Sequence, residues 1–214
     1  MLFSDRRDAG RRLAKELARA SLPDPVVLGI PRGGVIVADE VARTLGAPLD
    51  LVIPRKIGAP GNPELAIGAV AQDGTLVADE ALVKALGVSQ RYLEAETQRQ
   101  RAEIERRLSL YRQGRPAVDL AGASAIVVDD GIATGATVLA ALRGVRAQGP
   151  ARLVLAVPVA PPDTLERLRA ETDEIVCLAT PEPFYAVGQF YRHFEQTSDE
   201  EVFEIMERSR PASE

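Results

Sequence analysis

Ser124-Ala125-Ile126-Val127-Val128-Asp129-Asp130-Gly131-Ile132-Ala133-Thr134-Gly135-Ala136-Thr137 is the stretch that decides the fold. Ala125 to Val128 is a short apolar run rich in β-branched residues, which reads as a buried strand. Two carboxylates, Asp129 and Asp130, stand at its C-terminal end. Gly131 to Thr137 is a loop of small residues and hydroxyls. Beyond it, Val138, Leu139, Leu142 and Val145 fall at helical spacing. The order is strand, acid pair, small-residue loop, helix.

Each part has a chemical use. In open α/β sheets, ligands gather outside the carboxyl ends of strands. A loop that opens a helix aims free backbone N–H groups at an anion, and the helix dipole adds about half a positive charge there. Gly131 and Gly135 let the backbone come close, and Thr134 and Thr137 add hydroxyl donors. The two carboxylates would repel a phosphate, but they accept hydrogen bonds from sugar hydroxyls or lie near a divalent cation. A phosphate beside a diol beside a metal points to a phosphorylated sugar. Other phosphate loops fit poorly. Walker A needs Gly-Lys-Ser/Thr, and the dinucleotide fingerprint needs Gly-x-Gly-x-x-Gly.

Working outward, Asp8 to Ala20 reads as an amphipathic helix ended by Pro23 and Pro25. Val26 to Ile30 is a strand, Pro31-Arg32-Gly33-Gly34 a second small-residue loop, and Val35 to Leu45 a helix. The glycines let N–H groups face an anion, and Arg32 can add a bidentate contact. Leu49 to Pro54 reads as the next strand, closed by the cations Arg55 and Lys56. Ile57 to Pro63 is turn-rich and expected to be mobile. Glu64 stands next to it as a candidate acid or a solvated charge. Asp73-Gly74 between apolar runs predicts a β-ribbon. A short helix follows at Asp79 to Leu86, then a longer one from Gln90 to Arg112 capped by Ser89. The thin apolar stripe of the longer helix (Leu93, Ile104, Leu108, Tyr111) suits either a partner helix or a largely solvated face. After the central motif come a strand at Leu153 to Val157, a helix from Pro161 to Ala170 and a strand at Glu174 to Ala179.

The 214 residues, 46% hydrophobic and 27% charged, suit one sizeable globular domain, expected over 1–214. A net charge of −5 gives no overall attraction to nucleic acid or anionic lipid, and neither is expected as a partner. No apolar run is long enough to span a membrane, and the first residues carry no secretory signal pattern. The single Cys177, read as a buried strand thiol, excludes a disulfide framework and favours a cytoplasmic location. A single His193 excludes a multi-histidine metal site.

From Thr180 the character changes. Phe184, Tyr185, Phe190, Tyr191 and Phe194 are five of the nine Phe and Tyr residues in the chain. They suit either a satellite core or a hood that stacks on a planar base. Ser198 to Glu201 is a capping box for a last helix.

Residues Ile126 to Thr137 resemble the phosphoribosyl pyrophosphate (PRPP) motif of the type I phosphoribosyltransferases, which is four apolar residues, two acids and a Thr-Gly loop. The resemblance covers residues 25–180 and reaches the tail only in role. It implies an α/β fold with a doubly wound, mostly parallel sheet flanked by helices. A β-ribbon, a helical insertion at 79–115 and a small C-terminal hood at 180–214 would complete it.

The resemblance also implies a reaction, in which a nitrogen nucleophile displaces magnesium-bound pyrophosphate from PRPP. Asp129 and Asp130 would hold the ribose hydroxyls, with Mg²⁺ held mainly by PRPP nearby. Ala133, Thr134, Gly135, Ala136 and Thr137 would hold the 5′-phosphate. Arg32, Gly33 and Gly34 would meet the pyrophosphate. Arg55 and Lys56 resemble the basic pair before the family's catalytic loop, and Phe184 and Tyr185 are the hood residues expected nearest the acceptor. A homo-oligomer is expected.

One departure matters. Hypoxanthine-guanine members carry an Asp where this chain has Ala133, which argues against a 6-oxopurine enzyme of that pattern; adenine-specific members have Ala there. A PRPP-sensing regulator is the rival reading, and a PRPP synthetase would need an ATP motif that this sequence lacks.

Overall fold

The computed structural model describes residues 2–209, apart from the side chain of Glu64. Residue 1 and residues 210–214, the end of the expected tail, lie outside the described residues, as does any role of the Glu64 carboxylate. In chain order the elements are α1 (Arg6–Leu17), β1 (Pro25–Gly29), α2 (Gly33–Leu45), β2 (Leu49–Leu51), β3 (Arg55–Ala59), β4 (Asn62–Val70), β5 (Leu76–Ala78), α3 (Glu80–Ala85), α4 (Gln90–Arg112), β6 (Ser124–Val128), α5 (Ala136–Arg146), β7 (Arg152–Val159), α6 (Pro162–Leu168), β8 (Glu174–Ala179) and α7 (Asp199–Arg208).

Five strands make a parallel sheet in the order β2-β1-β6-β7-β8. Successive residues of β6 face opposite sides, as the period of two requires. Ile126 and Val128 join the core under α1, α2 and α7, while Ala125 and Val127 join the core under α5 and α6. Both faces are covered, which is why the strands read as unbroken apolar runs. Each Val or Ile fully buried in this way contributes about 1.5–3 kcal/mol.

The winding reverses in the middle of the sheet. From β1 the chain crosses through α2 to β2 on one side, and from β6 it crosses through α5 to β7 on the other. Adjacent strands β1 and β6 are in level register, with Gly29 opposite Val128. Their C-terminal ends therefore open one crevice at the switch point, the usual ligand position in this architecture. The doubly wound sheet and the β-ribbon are as the sequence implies.

Two expectations need correction. The strand expected to reach Pro54 ends at Leu51: the Val52 amide still donates to the Gly29 carbonyl at 3.2 Å, but the Ile53 amide leaves the ladder and donates to Gln72 Oε1 at 3.1 Å. Residues 57–63, expected as a mobile turn, are mostly strand. β3 and β4 pair antiparallel, with register shifts at Gly58, and the reversal is confined to Pro60 and Gly61, the latter at φ +75°. The turn residues were legible, but the pairing that absorbs the rest was not.

β3, β4 and β5 form a separate antiparallel sheet. One face sends Ile57, Ala59, Ile67 and Val70 into the first core. The other sets Ala69 and Val77 against Ala140 of α5. The thin stripe of α4 is not solvated. Leu93, Ile104 and Tyr111 are buried in that same first core, and Tyr92 Oη donates to the Gly58 carbonyl at 2.9 Å. Ser89 caps α4 by accepting from the Tyr92 amide. No helix among the described residues is long and apolar enough to cross a membrane.

Candidate functional site

α6 starts from Pro161 without a side-chain cap but with Asp163 in its first turn, and four helices among the described residues begin on a side-chain cap: Asp5 for α1, Asp79 for α3, Ser89 for α4 and Ser198 for α7. Those that follow the two switch-point strands do not. α2 starts from Arg32 and α5 from Gly135, neither with a side-chain cap nor an acid in its first turn. An uncapped N-terminus leaves its first amides without partners inside the helix and keeps the positive dipole end open. Two such ends face one crevice, a marked electrostatic bias toward anions.

The acid pair lies between them. A β-carbon on Gly34 would come within 2.9 Å of Asp129 Oδ1 and of the Val128 carbonyl, and one on Gly33 would overlap the Asp130 carboxylate. Sequence reasoning assigned these glycines to backbone freedom for an anion. Their position shows a second reason, the close approach of the two loops. Asp129 Oδ1 accepts from the Asp130 amide at 2.8 Å. Burial, and then the neighbouring Asp130, push the Asp129 carboxyl well above its usual range. Asp130 is also raised by burial, though the Arg6 guanidinium pulls against this. Two carboxylates held this close and largely away from solvent carry a cost to stability, which is common where a fold holds groups for a ligand.

The loop after the pair is tied from behind. Thr164 Oγ1 donates to the Ala133 carbonyl at 2.9 Å, and Arg167 Nη2 donates to the Thr134 carbonyl at 3.1 Å. In a trans peptide the following N–H points opposite to the carbonyl. The amides of Thr134 and Gly135 are thus turned away from α6. Gly135 is left-handed at φ +81°, which a side chain would resist, and it turns the chain directly into Ala136 and Thr137 of α5. Ala133 and Thr134 are exposed, and Gly135, Ala136 and Thr137 are half-buried. The outer side of the same loop lines a groove of about 290 Å³ against the β-ribbon.

The predicted cations are placed differently from one another. Arg32 precedes the first residue of α2 beside the pair, after a cis Pro31–Arg32 peptide, with its guanidinium 3.9 Å from Asp199. Tyr111 Oη also donates to Asp199, at 2.5 Å, and burial with this bond pushes the phenol up to about 12. Arg55 opens β3 and donates to Gln100 of α4 at 3.1 Å; burial and the nearby Arg107 lower its pKa. Lys56 beside it is exposed.

The aromatic stretch divides. Phe190 and Tyr191 are buried with Phe3, and Phe184 packs on Phe190 with ring centroids 4.9 Å apart. Tyr185 is 83% exposed. Val187 of this stretch covers Gly131, where a β-carbon would meet it at 2.5 Å. Cys177 is half-buried, its thiol raised by burial.

The residue that sequence reasoning missed is Arg6. Its Nε donates to Asp130 Oδ2 at 2.6 Å, and both side chains are largely buried, at 11% and 15% exposed. Nothing in Arg6-Arg7 distinguishes it from a solvated pair. The contact spans 124 positions and emerges only from the fold.

Comparison with known proteins bears on the family and the fold. Residues 4–194 match the family model described as "Phosphoribosyl transferase domain". Two Mycobacterium tuberculosis proteins, MT0597 of strain CDC 1551 and Rv0571c of strain H37Rv, are provisionally named phosphoribosyl transferases. Each is 50% identical over 208 residues, 97% of this chain and 47% of its own length. The chain thus spans about half the length of these curated relatives. The crystal structure of TT1426 from Thermus thermophilus is 49% identical, covers 99% of this chain and 100% of its own, and superimposes with a TM-score of 0.85.

Proposed function

The chain belongs to the phosphoribosyl transferase domain family, with the type I phosphoribosyltransferase fold, and from that premise we propose that it transfers ribose 5-phosphate from PRPP to a nitrogen of an acceptor base, with release of pyrophosphate. One observation carries this reading. A half-buried acid pair, Asp129 and Asp130, stands between two uncapped helix N-termini at a single switch point. PRPP has that layout of charge, an anionic group at each end and a neutral diol between.

Asp129 and Asp130 accept hydrogen bonds from the ribose hydroxyls and hold the ring rigidly. Such orientation is a large part of what a displacement at a sugar carbon requires. The amides and hydroxyls of residues 133–137 bind the 5′-phosphate. Arg32, Gly33 and Gly34 meet the pyrophosphate, and Arg55 and Lys56 add positive charge as it departs. The C1–O bond to pyrophosphate breaks with its electron pair on oxygen. The acceptor nitrogen forms the new bond to C1 and gives up a proton. Ala133 offers no carboxylate for that proton, so a 6-oxopurine acceptor that needs one there is disfavoured. Tyr185 is the exposed ring nearest in role to a stacking hood.

No three His, Cys, Asp or Glu side chains among the described residues cluster as a metal cage. Two carboxylates fit a cation whose other ligands come from substrate phosphates, as Mg²⁺ commonly does. Asp129 and Asp130 would stand beside it, and its chemistry there is to neutralise the leaving pyrophosphate.

The test is a screen of free bases with PRPP and Mg²⁺, read by pyrophosphate release. At least one base should release pyrophosphate in proportion to nucleotide formed. PRPP binding with no release for any base would overturn the transferase reading and leave a PRPP-binding regulator.

A further inference from the structure

Arg6 is gripped on three sides. Its Nε donates to Asp130 Oδ2 at 2.6 Å, its Nη1 donates to the Glu195 carbonyl at 2.8 Å, and its guanidinium carbon lies 3.8 Å over the Phe194 ring. The same region holds the Asp130 backbone, since Tyr191 Oη donates to the Asp130 carbonyl at 2.5 Å. Tyr191 is fixed in turn by stacking on Phe194 and by the Phe3 ring, with centroids 4.9 and 5.3 Å apart. The two chain segments are stitched by backbone hydrogen bonds from Phe3 to the Phe190 carbonyl and from Arg192 to the Phe3 carbonyl.

A buried ion pair seldom adds net stability, because desolvation offsets its attraction. What it does supply is a fixed carboxylate rotamer. This one fixes a member of the acid pair, not a distant surface group. We propose that Arg6 is a positioning residue for Asp130, held in place by segment 190–195, taking up Oδ2 and leaving Oδ1 for a ribose hydroxyl. The proposal rests on the PRPP reading above. It also gives the aromatic stretch a role apart from any hood, with Tyr191 and Phe194 acting as the buttress that aims Arg6.

Arg6→Ala and Arg6→Lys should be titrated by calorimetry with PRPP, ribose 5-phosphate and inorganic pyrophosphate, each with Mg²⁺, alongside thermal melts. Ribose 5-phosphate carries the hydroxyls that Asp130 would hold, and pyrophosphate does not. For a positioning residue, Arg6→Ala weakens PRPP and ribose 5-phosphate by about tenfold and leaves pyrophosphate unchanged, and it adds little on an Asp130→Asn background. Equal losses for all three ligands mean a merely structural role and overturn the proposal, as does unchanged ribose 5-phosphate affinity. If Arg6→Ala does not fold, Arg6→Lys decides by the same ratio, because it keeps the charge but not the forked geometry. If the wild-type chain itself binds no PRPP, the failure belongs to the functional reading and not to Arg6.

Discussion

Gly33 stands so close to Asp130 that a β-carbon on it would overlap the carboxylate and reach Arg6 Nε at 2.7 Å. The first residue of α2 and the second acid of the central motif thus occupy one packed contact. The consequence is a prediction about Gly33→Ala. Alanine in a helix gains up to about 1 kcal/mol in propensity, while overpacking costs about 1–3 kcal/mol, so the variant should fold. It should bind PRPP at least about tenfold more weakly, because the carboxylate must move. A folded Gly33→Ala protein with wild-type PRPP affinity would show that the position of Asp130 does not matter to the ligand.

A second prediction concerns pH. The Asp129 carboxyl is raised by burial and by Asp130. A carboxyl whose pKa rises on folding holds its proton more tightly in the native state, so ionising it costs native stability. Through this group, stability of the ligand-free protein falls as pH climbs from the ordinary aspartate value near ~4 to the raised folded value. Asp129→Asn removes that cost. It should melt above wild type at neutral pH, by about 2–4 °C for each kcal/mol relieved, with the gap closing toward pH ~4. Melting curves across this range are the check. An asparagine variant that melts lower throughout contradicts the assignment.

The cations should separate by ligand. Arg55 and Lys56 lie at the start of β3, beside α4, and not in the 133–137 loop. Arg55→Ala and Lys56→Ala are expected to weaken PRPP and slow turnover while sparing ribose 5-phosphate. Should ribose 5-phosphate weaken as much as PRPP, their role at the pyrophosphate is wrong.

The aromatic stretch yields a sharp contrast. Phe190 is buried, with Phe184 packed on it, so Phe190→Ala should cost on the order of 3–5 kcal/mol of stability. Tyr185 is exposed, and Tyr185→Ala should change stability by less than about 0.5 kcal/mol. Any effect of Tyr185→Ala should appear in acceptor binding at saturating PRPP. Loss of stability at Tyr185 with no effect on acceptor would move the hood elsewhere in the molecule.

Much of the fold was legible because local patterns agreed with it. The apolar run at 125–128, the acid pair and the Thr-Gly loop announce a strand end, a ligand and a helix start, and the caps at Ser89 and Ser198 mark helices that formed where expected. The Asp73-Gly74 ribbon was equally local. Long-range contacts left no such trace. Gln72 taking the Ile53 amide leaves β2 short, and the pairing of β3 with β4 turned an expected loop into strand. Arg6 reaching Asp130 just past the end of β6 is the same kind of fact: its partner is set by how α1 lies against the C-terminal segment. The glycines at 33 and 34 were noticed for a loop, but the side chains they make room for belong to another strand.

The central claim is that Asp129 and Asp130 hold the ribose of PRPP, and calorimetry of Mg-PRPP binding to Asp129→Asn and Asp130→Asn tests it most directly. Lost hydrogen bonds to charged groups are worth roughly 1.5–3 kcal/mol, so each variant should fold and bind about 10- to 150-fold more weakly than wild type. Unchanged affinity in both folded variants would contradict the account.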